Sequence, residues 1–517
     1  MQNRINRREF LRYSAIASGA GAIAACGGGG IGGASGSTDF KPKRGGAVKM
    51  VFGDAVSSDS ADPATAFTIL ATAFSGMVYD GLVRVDNEWK VTPGLATDYD
   101  ISKDFKTYTF RLRKGVKFHS GQALTAEDVV FSFRRVIDEK LGSAGLSIFA
   151  PILDAKGITA VDTTTVRFDL KTPDANFLIK AGHWYGKIVP AGTTDFTTGS
   201  FGTGPFKTVS FKGGEGFEVE RNPDYWEPGL PYLDSVQGVV VTEATTRAQA
   251  VLTGDADISD PPTFPLLPQF KNSSSVKLVE SVFGPPFVMG IDTSTPPFDN
   301  ADVRLASKLA VDRQKMVDIV ARGYATIGSD NVINPAEVYW PDGIKVPPYD
   351  PEQAKSLLAK AGSIEPLTIW TTSGLRALGD GATLLAEEWN AVGLTAEVKS
   401  VSFDELLGKC FLTEKVVANY WLRQHYSTCV PFLYFSDGPY NESRIKDPTL
   451  DGLIADLNRT PQDQASDLLR EVLQRYQDNS ASIWPFQMKD VWATKNRVQN
   501  LTIVPTEMVD MRNVFVS

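Results

Sequence analysis

Histidine and cysteine each occur only three times in 517 residues. His119, His183 and His425 stand far apart, no His-Glu-x-x-His array is present, and Gly-x-Ser-x-Gly is absent. A metallohydrolase needs several ligands around one ion, and a serine hydrolase needs a nucleophile beside a base, so both classes are disfavoured. Positive charge is in deficit as well: 52 Lys and Arg against 61 Asp and Glu leave a net charge of −9. Nucleic acid is bound by a basic face that displaces counterions, and no such face is expected here. The run Gly202-Thr203-Gly204-Pro205-Phe206 contains a Gly-x-Gly but lacks the later glycine and lysine that cradle phosphates, so it reads as a tight turn and not as a nucleotide site. No cofactor and no bound metal are expected. The acidic pairs Glu127-Asp128 and Glu387-Glu388 fall on apparent helix caps or faces, where solvated surface is the expectation and glycosidase chemistry is not.

The N-terminus carries the clearest local signal. Asn6-Arg7-Arg8-Glu9-Phe10-Leu11-Arg12 has the form of a twin-arginine export motif and precedes a weakly apolar stretch, Ala15 to Ala25. That stretch is too short and glycine-rich to span a bilayer, which takes ~20 apolar residues. Residues 1–25 are therefore predicted to be a removable leader. Ile23-Ala24-Ala25-Cys26 has the form of a lipobox, in which Cys26 becomes an acylated first residue; ordinary cleavage at the Ala-Ala pair is the alternative. The glycine- and serine-rich segment after Cys26 predicts a flexible tether over 26–44. The leader holds +3 of the chain's charge, so the remainder is distinctly acidic at −12. Cys410 and Cys429 are left as a pair, and both a disulfide and two buried thiols fit the sequence.

With 42% hydrophobic and 22% charged residues, the chain suits two or three buried cores. Gly46 to Gly53 predicts a strand, and the apolar spacing from Ile69 to Val83 predicts a helix. Thr107 to Arg113 alternates apolar and polar positions, the mark of a half-exposed strand. Thr125-Ala126-Glu127-Asp128 predicts a helix start with its own cap. A capped helix is predicted over Phe298 to Arg313, and another begins at Tyr349-Asp350-Pro351, with proline at the first helical position. Leu367 to Thr371 predicts a short strand.

Several of these segments resemble one family. Gly202 to Phe206, Arg221-Asn222-Pro223-Asp224-Tyr225-Trp226, Tyr79-Asp80-Gly81-Leu82, Pro93-Gly94-Leu95-Ala96 and the long stretch Phe118 to Val129 are similar to motifs of the transporter solute-binding proteins that carry oligopeptides, dipeptides and nickel chelates (family 5). The resemblance spans roughly Gly45 to the C-terminus. It implies a two-lobed α/β fold of the periplasmic-binding-protein type (type II), with an extra subdomain inserted in the first lobe. On that template, lobe one covers 45–281 with the insertion at about 85–202. Lobe two covers 282–485, and 486–517 return to lobe one. His119, inside the long motif, is expected to fix a turn through hydrogen bonds.

The resemblance also implies a site. Peptide-binding members carry, after a tryptophan, an aspartate that grips the peptide's amino group. The corresponding stretch here, Tyr420-Trp421-Leu422-Arg423-Gln424-His425-Tyr426, lacks it. Arg423 suggests a solute with an anionic group, because guanidinium pairs with carboxylate or phosphate in bidentate fashion. Tyr420, Trp421, Arg423, His425 and Trp370 are the candidate ligand-binding residues. The protein so implied is a non-catalytic, extracytoplasmic or periplasmic lipid-anchored monomer that captures a peptide or peptide-like solute by hinge closure and hands it to a permease served by an ATPase. Sensing instead of uptake, or an exported hydrolase, are the competing readings.

Overall fold

The computed structural model describes residues 41–197, 201–281, 284–373, 375–505 and 508–517. The leader, Cys26 and most of the tether lie outside the described residues. Three sheets organise the chain. The largest has seven strands, in the order Val276–Ser281, Asp490–Lys495, Ile258–Ser259, Ala47–Phe52, Ser235–Val240, Gly216–Arg221 and Phe206–Lys212. The opening strand Ala47–Phe52 runs parallel to both of its neighbours, so the helix and loops between them cross over the sheet faces. A four-stranded sheet is built next, ordered Phe287–Ile291, Val416–Tyr420, Leu367–Thr371 and Ala396–Ser400. This two-lobed mixed α/β architecture is the one the sequence motifs implied.

The third sheet lies within the first half of the chain: Ala96–Ile101, Thr107–Leu112, Thr165–Asp169 and Ile158–Asp162, all antiparallel. The expected alternation holds, since Tyr108, Phe110 and Leu112 point inward and their neighbours do not. Helix Ala126–Val136 covers that inner face, and Phe133 meets Phe168 at 4.9 Å between ring centroids. Each such buried ring contributes ~1.5 to 3 kcal/mol by leaving water. The helix begins with a capping box in which Thr125 N–H donates to the Asp128 carboxylate at 2.7 Å. Asp128 is therefore buried, not solvated, and it also accepts from Ala191 N–H at 2.8 Å. Glu388 departs from the surface expectation too: it is buried, takes the Asp312 N–H at 3.0 Å and pairs with Lys315 at 3.3 Å.

Two helix boundaries differ from the periodicity. The first helix spans Ile69–Val78, capped by Thr68, and ends because Tyr79 turns to extended geometry. The Phe298–Arg313 stretch divides into helices Ala301–Leu309 and Arg313–Ile319. Asp312 is a second cap, accepting from Lys315 N–H at 3.0 Å, so the chain restarts there instead of continuing.

Where the first helix ends, the glycine motif packs against it. A methyl group on Gly202 would sit 1.6 Å from the Val78 carbonyl oxygen, and Gly204 N–H donates to that same oxygen at 3.0 Å. The carbonyl of Gly204 in turn meets His119 Nε2 and Asn222 Nδ2, each at 3.0 Å, so His119 does fix a turn. Asp80 gathers the remaining motifs: it is buried and takes Trp226 Nε1–H at 2.8 Å, Thr203 Oγ1–H at 3.1 Å and the Arg84 guanidinium at 3.2 Å. The Arg84 charge and the Trp226 hydrogen bond hold its carboxyl below the ordinary range despite burial.

Two neighbouring segments join the large sheet to the second lobe. One reaches strand Phe287–Ile291 through residues 284–286, and the other runs to Asp490 from Met488, the end of a strand paired with Ala325–Ile327. They touch: Met488 N–H donates to the Pro285 carbonyl at 2.9 Å, and a side chain on Gly284 would strike the Met488 carbonyl at 2.1 Å. Paired crossings of this kind confine relative motion of two lobes to bending at a few residues.

Candidate ligand-binding site

A cavity of about 330 Å³ lies between the lobes. Phe67, Ile148, Trp184 and Tyr185 line it from the first half of the chain. From the second sheet and the loops after it come Phe403, Phe411, Tyr420, Trp421, Phe432 and Tyr440. Strand Val416–Tyr420 delivers the key segment, which continues without regular structure to His425 and then enters helix Tyr426–Tyr434. Trp421 is wedged among rings, 5.3 Å from Tyr440 and 5.5 Å from Phe432 between centroids. Aromatic walls of this type give rigid contact area at little entropic cost.

Polar groups stand behind this wall. Glu442 is partly buried and accepts from Trp421 Nε1–H at 2.6 Å and from Asn419 Nδ2–H at 2.7 Å. Burial outweighs those two hydrogen bonds and pushes its carboxyl up to about 7. The Tyr420 hydroxyl donates across the cleft to the Asp54 carboxylate. Burial likewise raises Asp54 to about 6, against the pull of Tyr420 and Arg376. Arg376 lies 4.8 Å over the Tyr420 ring and 3.6 Å from Asp490, so each of these charges already has a partner within the protein.

Of the five sequence candidates, Tyr420 and Trp421 face the cavity. Arg423 does not. Its Nε and Nη2 meet the two Glu337 oxygens at 2.6 and 2.8 Å, Nη2 also donates to the Asn87 carbonyl at 2.8 Å, and the guanidinium covers the Trp89 ring at 4.8 Å. An anionic solute held by Arg423 therefore has no basis in this geometry, because an internal carboxylate occupies the fork. His425 is a buried cap: Nδ1 accepts from Ser427 N–H at 3.2 Å, Nε2 faces Gln462 Oε1 at 3.0 Å, and burial lowers its pKa to about 3. Trp370 packs beside Leu406, Cys410 and Val417 with Lys399 Nζ 4.1 Å over its ring, away from the cavity lining. Cys410 and Cys429 are free and buried in separate apolar clusters, so the disulfide alternative is not realised.

Sequence reasoning missed Phe67, Trp184, Tyr185, Asn419 and Glu442. Only the adjacent pair Trp184-Tyr185, with Gly186 after it, offered a signal, since two large rings at a turn are hard to bury locally. Glu442 had none, because its partners arrive from a strand 23 and 21 residues away.

Residues 90–430 match the family described as bacterial extracellular solute-binding proteins, family 5 Middle. Among curated proteins, the chain is 30% identical over 348 residues to di/tripeptide-binding protein 1 of Pseudomonas aeruginosa, covering 62% of this chain and 65% of that protein. It is 32% identical over 355 residues to heme-binding protein A of Haemophilus influenzae, covering 62% and 64% respectively. The matched region thus spans somewhat less than two thirds of the length of these relatives. Among solved structures, the Helicobacter pylori periplasmic binding protein DppA, in complex with the peptide STSA, superposes with a TM-score of 0.82 at 25% identity, covering 92% of this chain and 99% of that one. The paired crossings, the interlobe cavity and the family match over most of its length together place this chain among the bacterial extracellular solute-binding proteins of family 5.

Proposed function

We propose that this chain captures a small peptide or peptide-like solute between its lobes and presents the closed form to a membrane permease powered by an ATPase. The observation that carries the reading is the interlobe cavity whose wall residue Tyr420 donates its hydroxyl across the cleft to Asp54. Side chains that meet only when the lobes approach make closure and solute burial one event. A solute shifts the open–closed balance only by its preference for the closed form, and moving it from 1:99 to 99:1 takes ~5.5 kcal/mol.

On this reading residues 1–25 are a twin-arginine leader, Cys26 is acylated and 26–44 form a tether. Residues 45–281 make the first lobe with the insertion at about 85–202, 282–485 make the second lobe, and 486–517 make the return; the seven-stranded sheet supports this division, except that Phe486–Met488 still pairs with Ala325–Ile327 of the second lobe. The protein acts as a lipid-anchored monomer outside the cytoplasm, and the solute leaves unaltered. The test is to denature purified protein and identify any released small molecule by mass spectrometry, then to add it back and track compaction by small-angle scattering. A released molecule that compacts the protein and is recovered intact supports the reading; turnover, or a solute that leaves the dimensions unchanged, overturns it.

A further inference from the structure

The cleft's chemistry narrows the class of solute, on the footing of the capture function just proposed. Among the described residues lining the cavity, none carries a full charge, and more than half are aromatic. The charges nearby stand outside the lining and have partners within the protein: Asp54 takes the Tyr420 hydroxyl through one oxygen, Arg376 pairs with Asp490, Arg423 with Glu337, and Glu442 accepts from Asn419 and Trp421. A free ammonium or carboxylate entering this space would lose its water and find no counter-charge in the lining itself, at a cost of several kcal/mol for each ion.

Three polar atoms in the lining are nevertheless left over, one of them Gln424 Oε1. Asn419 is buried, its Nδ2 is taken by Glu442, and its Oδ1 has no partner. The amide's orientation is dictated by Glu442, whose oxygen takes an N–H there, so the carbonyl end is the one left over. On the other side of the cleft Trp184 is buried with an indole Nε1–H that has no acceptor in hydrogen-bonding geometry. An unmade bond at a buried polar atom costs ~1 to 3 kcal/mol, so a guest that completes these bonds gains in affinity. Two acceptors and one donor amid rings complement neutral amides, each of which offers one N–H and one C=O.

We infer that the cleft selects an uncharged, aromatic-bearing amide, such as a cyclic or end-blocked small peptide, over a peptide with free termini, with Asn419 Oδ1 and Trp184 Nε1–H as its polar contacts. The cyclic dipeptide cyclo(Phe-Phe) and linear Phe-Phe carry the same side chains and differ in their charged ends. Titration calorimetry on the full mature protein should show the cyclic form binding at least tenfold more tightly. Trp184→Phe, which keeps a ring and deletes the N–H, should weaken the cyclic form about tenfold; Asn419→Leu should do the same, provided its thermal midpoint shows it folded. Linear Phe-Phe binding as tightly as the cyclic form, or a cyclic affinity unchanged in Trp184→Phe, overturns the inference. If the linear peptide alone binds and compacts the protein in scattering, the capture function stands and only this inference falls. If neither probe binds and denaturation releases no small molecule, both fall.

Discussion

The Arg423 guanidinium and the Glu337 carboxylate form a two-pronged ion pair, 2.6 and 2.8 Å, with both side chains nearly excluded from water. Trp89 closes the arrangement by donating its Nε1–H to Glu337 at 2.8 Å while its ring lies under the guanidinium. Asn87 and Trp89 come from the first half of the chain, Glu337 and Arg423 from the second, so the contacts of the pair with Asn87 and Trp89 form an interlobe seam.

Removing one partner of this pair should be far worse than removing both. Glu337→Ala strands a buried cation and should destabilise the protein by about 3 to 5 kcal/mol, whereas the double replacement Glu337→Leu with Arg423→Leu should recover much of that loss. Chemical denaturation of the two single variants and the double variant measures the coupling; additive losses would show that the pair does not act as a unit.

The contact from Tyr420 to Asp54 is made between lobes, so Tyr420→Phe should act on closure more than on folding. Solute affinity should fall about tenfold, the size of one hydrogen bond to a charged or strongly polar partner. The thermal midpoint without solute should change little, and scattering should report a larger radius at subsaturating solute. An unchanged affinity would mean that the contact is made equally well in the open form.

Stability should respond to pH in two opposed ways. His425 has its pKa lowered to about 3 by burial from an ordinary 6.5, so its contribution is complete above pH 6.5 and is lost as pH falls toward 3. Glu442 has its pKa raised from 4.5 to about 7, so its contribution is complete below about pH 4.5 and is lost as pH rises through 7. Thermal midpoints from pH 4 to 8 should therefore show a flatter acid limb in His425→Asn, which retains a capping side chain. In Glu442→Gln the decline between about pH 4.5 and 7 should be flatter instead. Parallel curves for variant and parent would show that neither group shapes the pH dependence.

The glycine at 202 admits no side chain, since any Cβ would overlap the Val78 carbonyl. Gly202→Ala should push the turn off the end of the first helix and cost several kcal/mol, seen as poor soluble yield or a large drop in midpoint. Gly121→Ala, with open space around its Cβ but a positive φ of 89°, should cost about 1 kcal/mol. Equal behaviour of the two variants would contradict the packing described for Gly202.

The cleft chemistry was less legible in the sequence than the scaffold. Tyr420 and Trp421 were readable because they belong to a contiguous segment whose register a family motif anchors. Arg423 and His425 belong to the same segment, yet face elsewhere. The segment has left its strand by Trp421, so no period tells which side chains reach the cavity, and the partner that decides what a charge does, here Glu337, is 86 residues away.

Local order was set by the chain itself. Thr125 with Asp128, Asp350 before Pro351, and the alternation through Tyr108 and Phe110 specify helix starts and a strand from neighbours alone, because caps and periodicity act over three or four residues. Tertiary structure decided which charges are spent internally and which polar atoms remain for a guest. Glu442 orients Asn419, Glu337 consumes Arg423, and Asp54 takes the Tyr420 hydroxyl only when distant strands and loops are brought together. Burial and pairing are properties of three-dimensional neighbours, so the character of the cleft emerges only once the lobes have closed on one another.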